Sequence, residues 1–148
     1  VTGVENEEER VMKWKVGSIV VFLVLLLPMP ATAEPLGAQD DQVRALAEPI
    51  VEALLAGFNQ GNYAQYSQDF DDAMREAIPE KKFQQVRADI IKKLGTYKNK
   101  QYLGFLNQQP HTIVLWKGAF AGSRDDILIK LVLSRRQEAI KVVGLWFQ

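Results

Sequence analysis

The side chains able to do chemistry are few. His111 is the one histidine, flanked by Pro110 and Thr112, and the chain has no cysteine. A protein metal site draws on at least three ligands, and with no second His and no Cys none assembles around His111. No nucleophile stands out beside it, so His111 reads as a loop histidine at a strand entrance. Asp69, Asp71 and Asp72 form a small acidic cluster. A calcium loop needs oxygen ligands at alternating positions around a glycine turn with a closing Glu, and that spacing is absent. Helix capping at a solvated turn accounts for these acids. No metal and no other cofactor is expected.

The aromatic side chains are the larger resource. Tyr63, Tyr66, Phe70, Trp116, Phe120 and Trp146 fill a core where they point inward, and line a pocket for an apolar or flat ligand where that core is incomplete. Both roles fit a curved sheet, and these six are the cavity-lining candidates. Lys81, Lys82, Lys92, Lys93, Lys98 and Lys100 look like a basic cluster. Glu80 and Asp89 interleave with them, and 18 Lys+Arg balance 18 Asp+Glu over the 148 residues. Solvated faces are therefore expected, not an anion site. A neutral chain also lacks the cationic surplus that nucleic acid demands. Apolar residues at 47% and charged ones at 24% are ordinary globular usage, enough for one domain. The missing cysteines rule out disulfides and a lipid-modified cysteine.

The elements that must position these residues begin after an export signal. Met12-Lys13-Trp14-Lys15 is a basic segment and Val16 to Leu27 is almost unbroken apolar sequence. Pro28 and Pro30 then break any helix, and Ala31-Thr32-Ala33 offers the small residues a signal peptidase requires. The apolar run falls short of the ~20 residues of a spanning helix, so 12–33 is read as a signal peptide cleaved after Ala33. That places the mature chain in the periplasm or outside the cell, touching the membrane only through the signal. Residues 1–11 are mostly acidic, which suits no signal, and are read as a non-translated or disordered extension, with translation starting at Met12. Residues 34–40 form a flexible leader, and 41–148 a single domain.

Within that domain Val43, Leu46, Ala47, Ile50, Val51, Leu54, Leu55 and Phe58 keep a helical period. Asp40 and Asp41 are placed to cap this helix, and Pro49 predicts a kink or a late start. Asn62 caps a short helix with Tyr63, Tyr66 and Phe70; Asp71-Asp72 caps another through Ile78. Pro79 opens a helix whose apolar stripe is Phe83, Val86, Ile90 and Leu94, and Gly95 stops it. After Gly95 the period becomes 2, predicting strands at 97–107, 111–120, 126–135 and 138–147 in an antiparallel meander. Alternation puts Trp116, Phe120, Ile127, Ile129, Val142 and Trp146 on one face and Lys117, Lys130 and Lys141 on the other. The helices must roof the apolar face, which makes the class α+β, a four-stranded curved sheet under N-terminal helices.

Asn62-Tyr63, Asp69-Phe70-Asp71, Pro79-Glu80-Lys81-Lys82-Phe83, Leu94-Gly95-Thr96-Tyr97 and Gly144-Leu145-Trp146-Phe147 resemble the bacterial family termed domain of unknown function 3887. That family is similar to the cone-shaped, nuclear-transport-factor-2-like or cystatin-like superfold. The resemblance spans about Val43 to Gln148 and rests on packing signals. It implies helices in the concave side of a curved sheet and a site at the open end of the cone. Ketosteroid isomerase shares that superfold and works with an Asp base, a Tyr and a protonated Asp in an apolar cavity. No acid falls on the inner strand face here, though a helix can contribute one. The expected function is a small exported, non-enzymatic module binding a ligand or a protein. The alternatives are a small-molecule isomerase or dehydratase using the cavity, and a homodimerisation module.

Overall fold

The computed structural model describes residues 32–148. The segment expected to be a signal, up to residue 31, and the extension 1–11 lie outside the described residues. Four helices precede the main strands: α1 (Asp40–Gln60), α2 (Tyr63–Tyr66), α3 (Asp72–Ala77) and α4 (Glu80–Leu94). They pack against a strongly curled antiparallel sheet that forms a half-barrel, an α+β arrangement consistent with the expected cone. The long strands are β2 (Tyr97–Gln108), β3 (His111–Phe120), β4 (Ile127–Arg136) and β5 (Ala139–Phe147), joined as a meander.

A fifth strand was not foreseen. β1 (Ala33–Glu34) pairs with Arg136 and Arg135 of β4. Because β5 occupies the other side of β4 at these residues, β1 continues the line of β3 beyond its first residue. The segment after it is no loose leader. Leu36 is buried, its N–H donates to Thr112 Oγ1 at 2.8 Å, and its carbonyl accepts from Arg135 at 3.1 Å. One apolar residue among small and polar ones was too short a signal to separate a docked segment from a linker.

α1 runs unbroken through Pro49. The bond lost is the one to the Ala45 carbonyl, and both residues are exposed, so water replaces it. Gln39 is the N-cap, without a side-chain bond; Asp41, inside the first turn, accepts from the Gln42 N–H at 2.8 Å as expected, and Asp40 does not cap. Asp40 instead accepts from the Tyr102 hydroxyl at 2.9 Å. Asn62 and Asp71 do cap, through Gln65 N–H and Met74 N–H. α2 stops at Tyr66, so Phe70 is not helical; it bridges to Val142. Pro79 is the N-cap of α4, one position earlier than its expected place inside the helix.

The inner sheet face carries Val114, Trp116, Phe120, Ile129, Leu131, Leu133 and Val142, all buried against Val43, Val51, Leu55 and Phe58 of α1. Trp146 breaks the expected alternation. Val132 pairs with Gly144 and Leu133 with Val142, so Val143 is an extra residue in β5. One extra residue reverses parity for everything after it. Leu145 and Phe147 therefore turn toward the core, and Trp146, opposite Lys130, sits on the outer face with the Lys130 ammonium 5.2 Å from its ring centroid. Its ring packs over Gly144, where a Cβ would lie only 2.4 Å from it.

Candidate functional site

The stripe of α4 is the starting point. Phe83, Val86, Ile90 and Leu94 recur at helical spacing, which demands a partner surface for one face. Only Phe83 obtains it in full; Ile90 and Leu94 are half-buried, and Val86 keeps 41% of its surface exposed. Between this stripe and the ends of β4 and β5 lies a cavity of about 440 Å³. Val86, Ile90 and Leu94 form one wall, Ile127, Leu145 and Phe147 another, and Tyr66 and Ile78 close one side. That volume lies within the ~300–1,000 Å³ range of small-molecule sites.

The gap persists because α4 is fastened near its middle and at its C-terminal end. Arg87 donates to the carbonyls of Phe58 and Asn59 in the last turn of α1, and Gln84 donates to Gly61 O at 3.0 Å. A guanidinium is well matched to carbonyls left over at a helix C-terminus. At the far end the Gly122 N–H donates to Leu94 O and the Ala121 N–H to Thr96 O, both at 2.8 Å. Gly95 makes that junction with φ +78°, and a Cβ there would meet Gly122 N at 2.4 Å. Only glycine meets both demands.

Tyr66 is 6% exposed, stacks on Phe83 with ring centroids 4.3 Å apart, and meets Phe70 edge-on at 5.2 Å. Burial, with a smaller contribution from Tyr63, pushes its phenol up to about 12. It is a neutral donor at any ordinary pH. Tyr63, by contrast, spends its hydroxyl on the Ile78 carbonyl at 2.7 Å.

Of the six aromatic candidates, the structure brings Tyr66 into the cavity lining; Trp146 borders the space from β5, but its ring lies on the outer face beside Lys130 instead of the expected inner one. Phe70 lines a second, charged cleft with Asp71, Asp72, Arg75, Arg136 and Lys141. Trp116 and Phe120 are buried core, and Tyr63 packs beside Phe83 without lining either space. His111 sits at the start of β3, and among the described residues no group of side chains is placed to hold a metal. Asp71 is occupied as a cap and as the partner of Arg136 at 3.6 Å.

A second set of functional groups escaped the sequence reading. Lys100, expected on a solvated face, has a side chain only 5% exposed, ion-paired to both Glu48 and Glu52 of α1. The Trp116 indole N–H donates to the other Glu48 oxygen at 3.1 Å. A helix thus does bring an acid to the inner face. Burial alone would raise the Glu48 pKa, but hydrogen bonds from Lys100 and Trp116, with the charges of Lys100 and Arg44, hold it below the usual carboxylate value. Burial alone would lower Lys100; its bonds to Glu48 and Glu52 outweigh this and hold it above the usual ammonium value. Tyr102 is pushed up to about 12 by burial and by its bond to Asp40, and Arg44 lies 5.2 Å from its ring centroid. The available signal was Glu48 and Glu52 at i, i+4, which puts two carboxylates on one helix face.

Comparison of the chain with family models, with curated proteins and with solved structures found no match in any of the three.

Proposed function

We propose that this chain is a non-enzymatic binding module, of the domain-of-unknown-function and nuclear-transport-factor-2-like type its motifs resemble, taking a small apolar ligand beneath α4. One observation carries the reading. α4, an amphipathic helix held at its midpoint by Arg87 and at its C-terminus by Gly122, leaves Val86 exposed and Ile90 and Leu94 half-buried, and all three line the space beside the sheet. Closing that space would bury more apolar surface, at roughly 25 cal/mol per Å², and the two fastenings oppose it. A ligand recovers that burial without moving the helix.

The isomerase or dehydratase reading is less well supported. It needs a carboxylate with a raised pKa inside the cavity. The titratable side chains among the described lining residues are those of Tyr66 and Lys93. Glu48, the acid that does reach the inner face, has its pKa lowered and is bonded to Lys100 and Trp116.

The neutral dye N-phenyl-1-naphthylamine tests the site. Its fluorescence is expected to rise on binding the folded chain, and Ile90→Trp, which fills the cavity, is expected to abolish most of that rise. Equal enhancement by both proteins would remove the reading. Export is the second part of the proposal. Leu36, the first buried residue among those described, lies on the retained side of the Ala33–Glu34 bond. Sequencing the secreted chain is expected to begin at Glu34, and an intact Met12 in a membrane fraction would exclude cleavage.

A further inference from the structure

The cavity is apolar but not featureless. Lys93 carries the one charged side chain among the described lining residues, and it stands exposed at the rim in the last turn of α4. Asp89, one helical turn earlier, is spaced for an i, i+4 pair. None of the ion pairs found among the described residues involves Lys93. Tyr66 supplies a second unspent group. It is more than nine-tenths buried, it lines the cavity, and no hydrogen bond to its hydroxyl occurs among the described residues.

From these features we infer the chemical class of the ligand: an anionic amphiphile, a monocarboxylate with an aliphatic body. This rests on the binding reading above. The body lies between the α4 stripe and the Leu145 and Phe147 side chains, and the acid group pairs with the Lys93 ammonium at the mouth. The Tyr66 hydroxyl remains a donor for an oxygen on the ligand. The charge argument is specific to this rim. The second cleft offers Arg75, Arg136 and Lys141, but Asp71 and Asp72 stand among them, and its lining includes only Phe70 and Ala139 as apolar side chains. An amphiphile finds no body site there.

Calorimetric titration decides the matter, with the chain as recovered from the producing cell, free of detergent, and ligands below their micelle concentrations. Decanoate and decanol are the probes, since they share a body and differ in charge. Decanoate is expected to bind about fivefold more tightly than decanol, the scale of one solvent-exposed ion pair, and added salt should narrow the gap. Lys93→Gln should erase the difference while leaving decanol unchanged. Equal affinity for the two probes in the parent chain overturns the charge inference and leaves the cavity reading standing. Failure of both probes and of the neutral dye overturns the cavity reading itself. A preference for decanoate that survives Lys93→Gln also overturns the inference, because the anion would then be held elsewhere.

Discussion

The two sides of the helical layer are built in opposite ways. Where α1 crosses β2 and β3, the contact is sealed: Lys100 is buried between Glu48 and Glu52, Trp116 is bonded to Glu48, and Tyr102 to Asp40. Where α4 passes β5, the surfaces are apolar and leave a space between them, with Ile90 and Leu94 only half-buried. Polar groups thus close one side, and greasy ones leave the other open. The difference follows from what each kind of group requires. A buried charge must be paired, because an unpaired one costs several kcal/mol, so the α1 side has one permitted arrangement. Apolar stripes only prefer contact, and the Arg87 and Gly95 fastenings suffice to withhold it. Paired charge thus closes the α1 side of this fold, and the space under α4 is lined mainly by apolar side chains.

The sharpest way to break that contrast is to cut equally deep on both sides. Trp116→Ala removes a fully buried ring and the donor to Glu48, and is expected to cost about 4 kcal/mol in urea unfolding. Ile90→Ala, on a half-buried wall that already faces space, should cost about 1 kcal/mol. Similar losses would mean that the α4 side is packed as tightly as the α1 side.

Lys100→Met tests the ionic seal with a smaller expected effect, a loss of about 2 kcal/mol, discounted because both carboxylates remain partly exposed. Glu48 and Glu52 would then repel across one turn of helix. No loss in the urea midpoint would show the seal to be dispensable.

The pH profile sharpens the same point. The Glu48 pKa is depressed below 4.5, so its contribution is complete above 4.5 and is lost as pH falls through the depressed value. The Lys100 pKa is raised above 10.5, so its contribution is complete below 10.5 and is lost as pH rises through the raised value. Tyr102 adds a loss between 10 and about 12. Urea midpoints measured across pH should form a plateau between these limits, and Lys100→Met should flatten the acid side. An acid limb unchanged by that substitution would detach Glu48 from the seal.

Local chemistry carried much of the architecture. Asn62, Asp71 and Gly95 mark helix ends by bonds within a few residues, and His111–Phe120 is a strand because its period is 2. Such signals survive in any tertiary setting, so the amino-acid order alone determined the α+β class and the succession of helices and strands. Three features were settled only by the folded chain. The extra Val143 in β5, which no nearby residue announces, decided the face of Trp146. Lys100 meets Glu48 and Glu52 across 52 and 48 positions of sequence, and nothing local distinguishes a paired lysine from a solvated one. The space under α4 depends on where Arg87 and Gly122 anchor the helix. A stripe of apolar residues states that a helix has an inward face; how near its partner comes is fixed by contacts that other side chains and the helix end make.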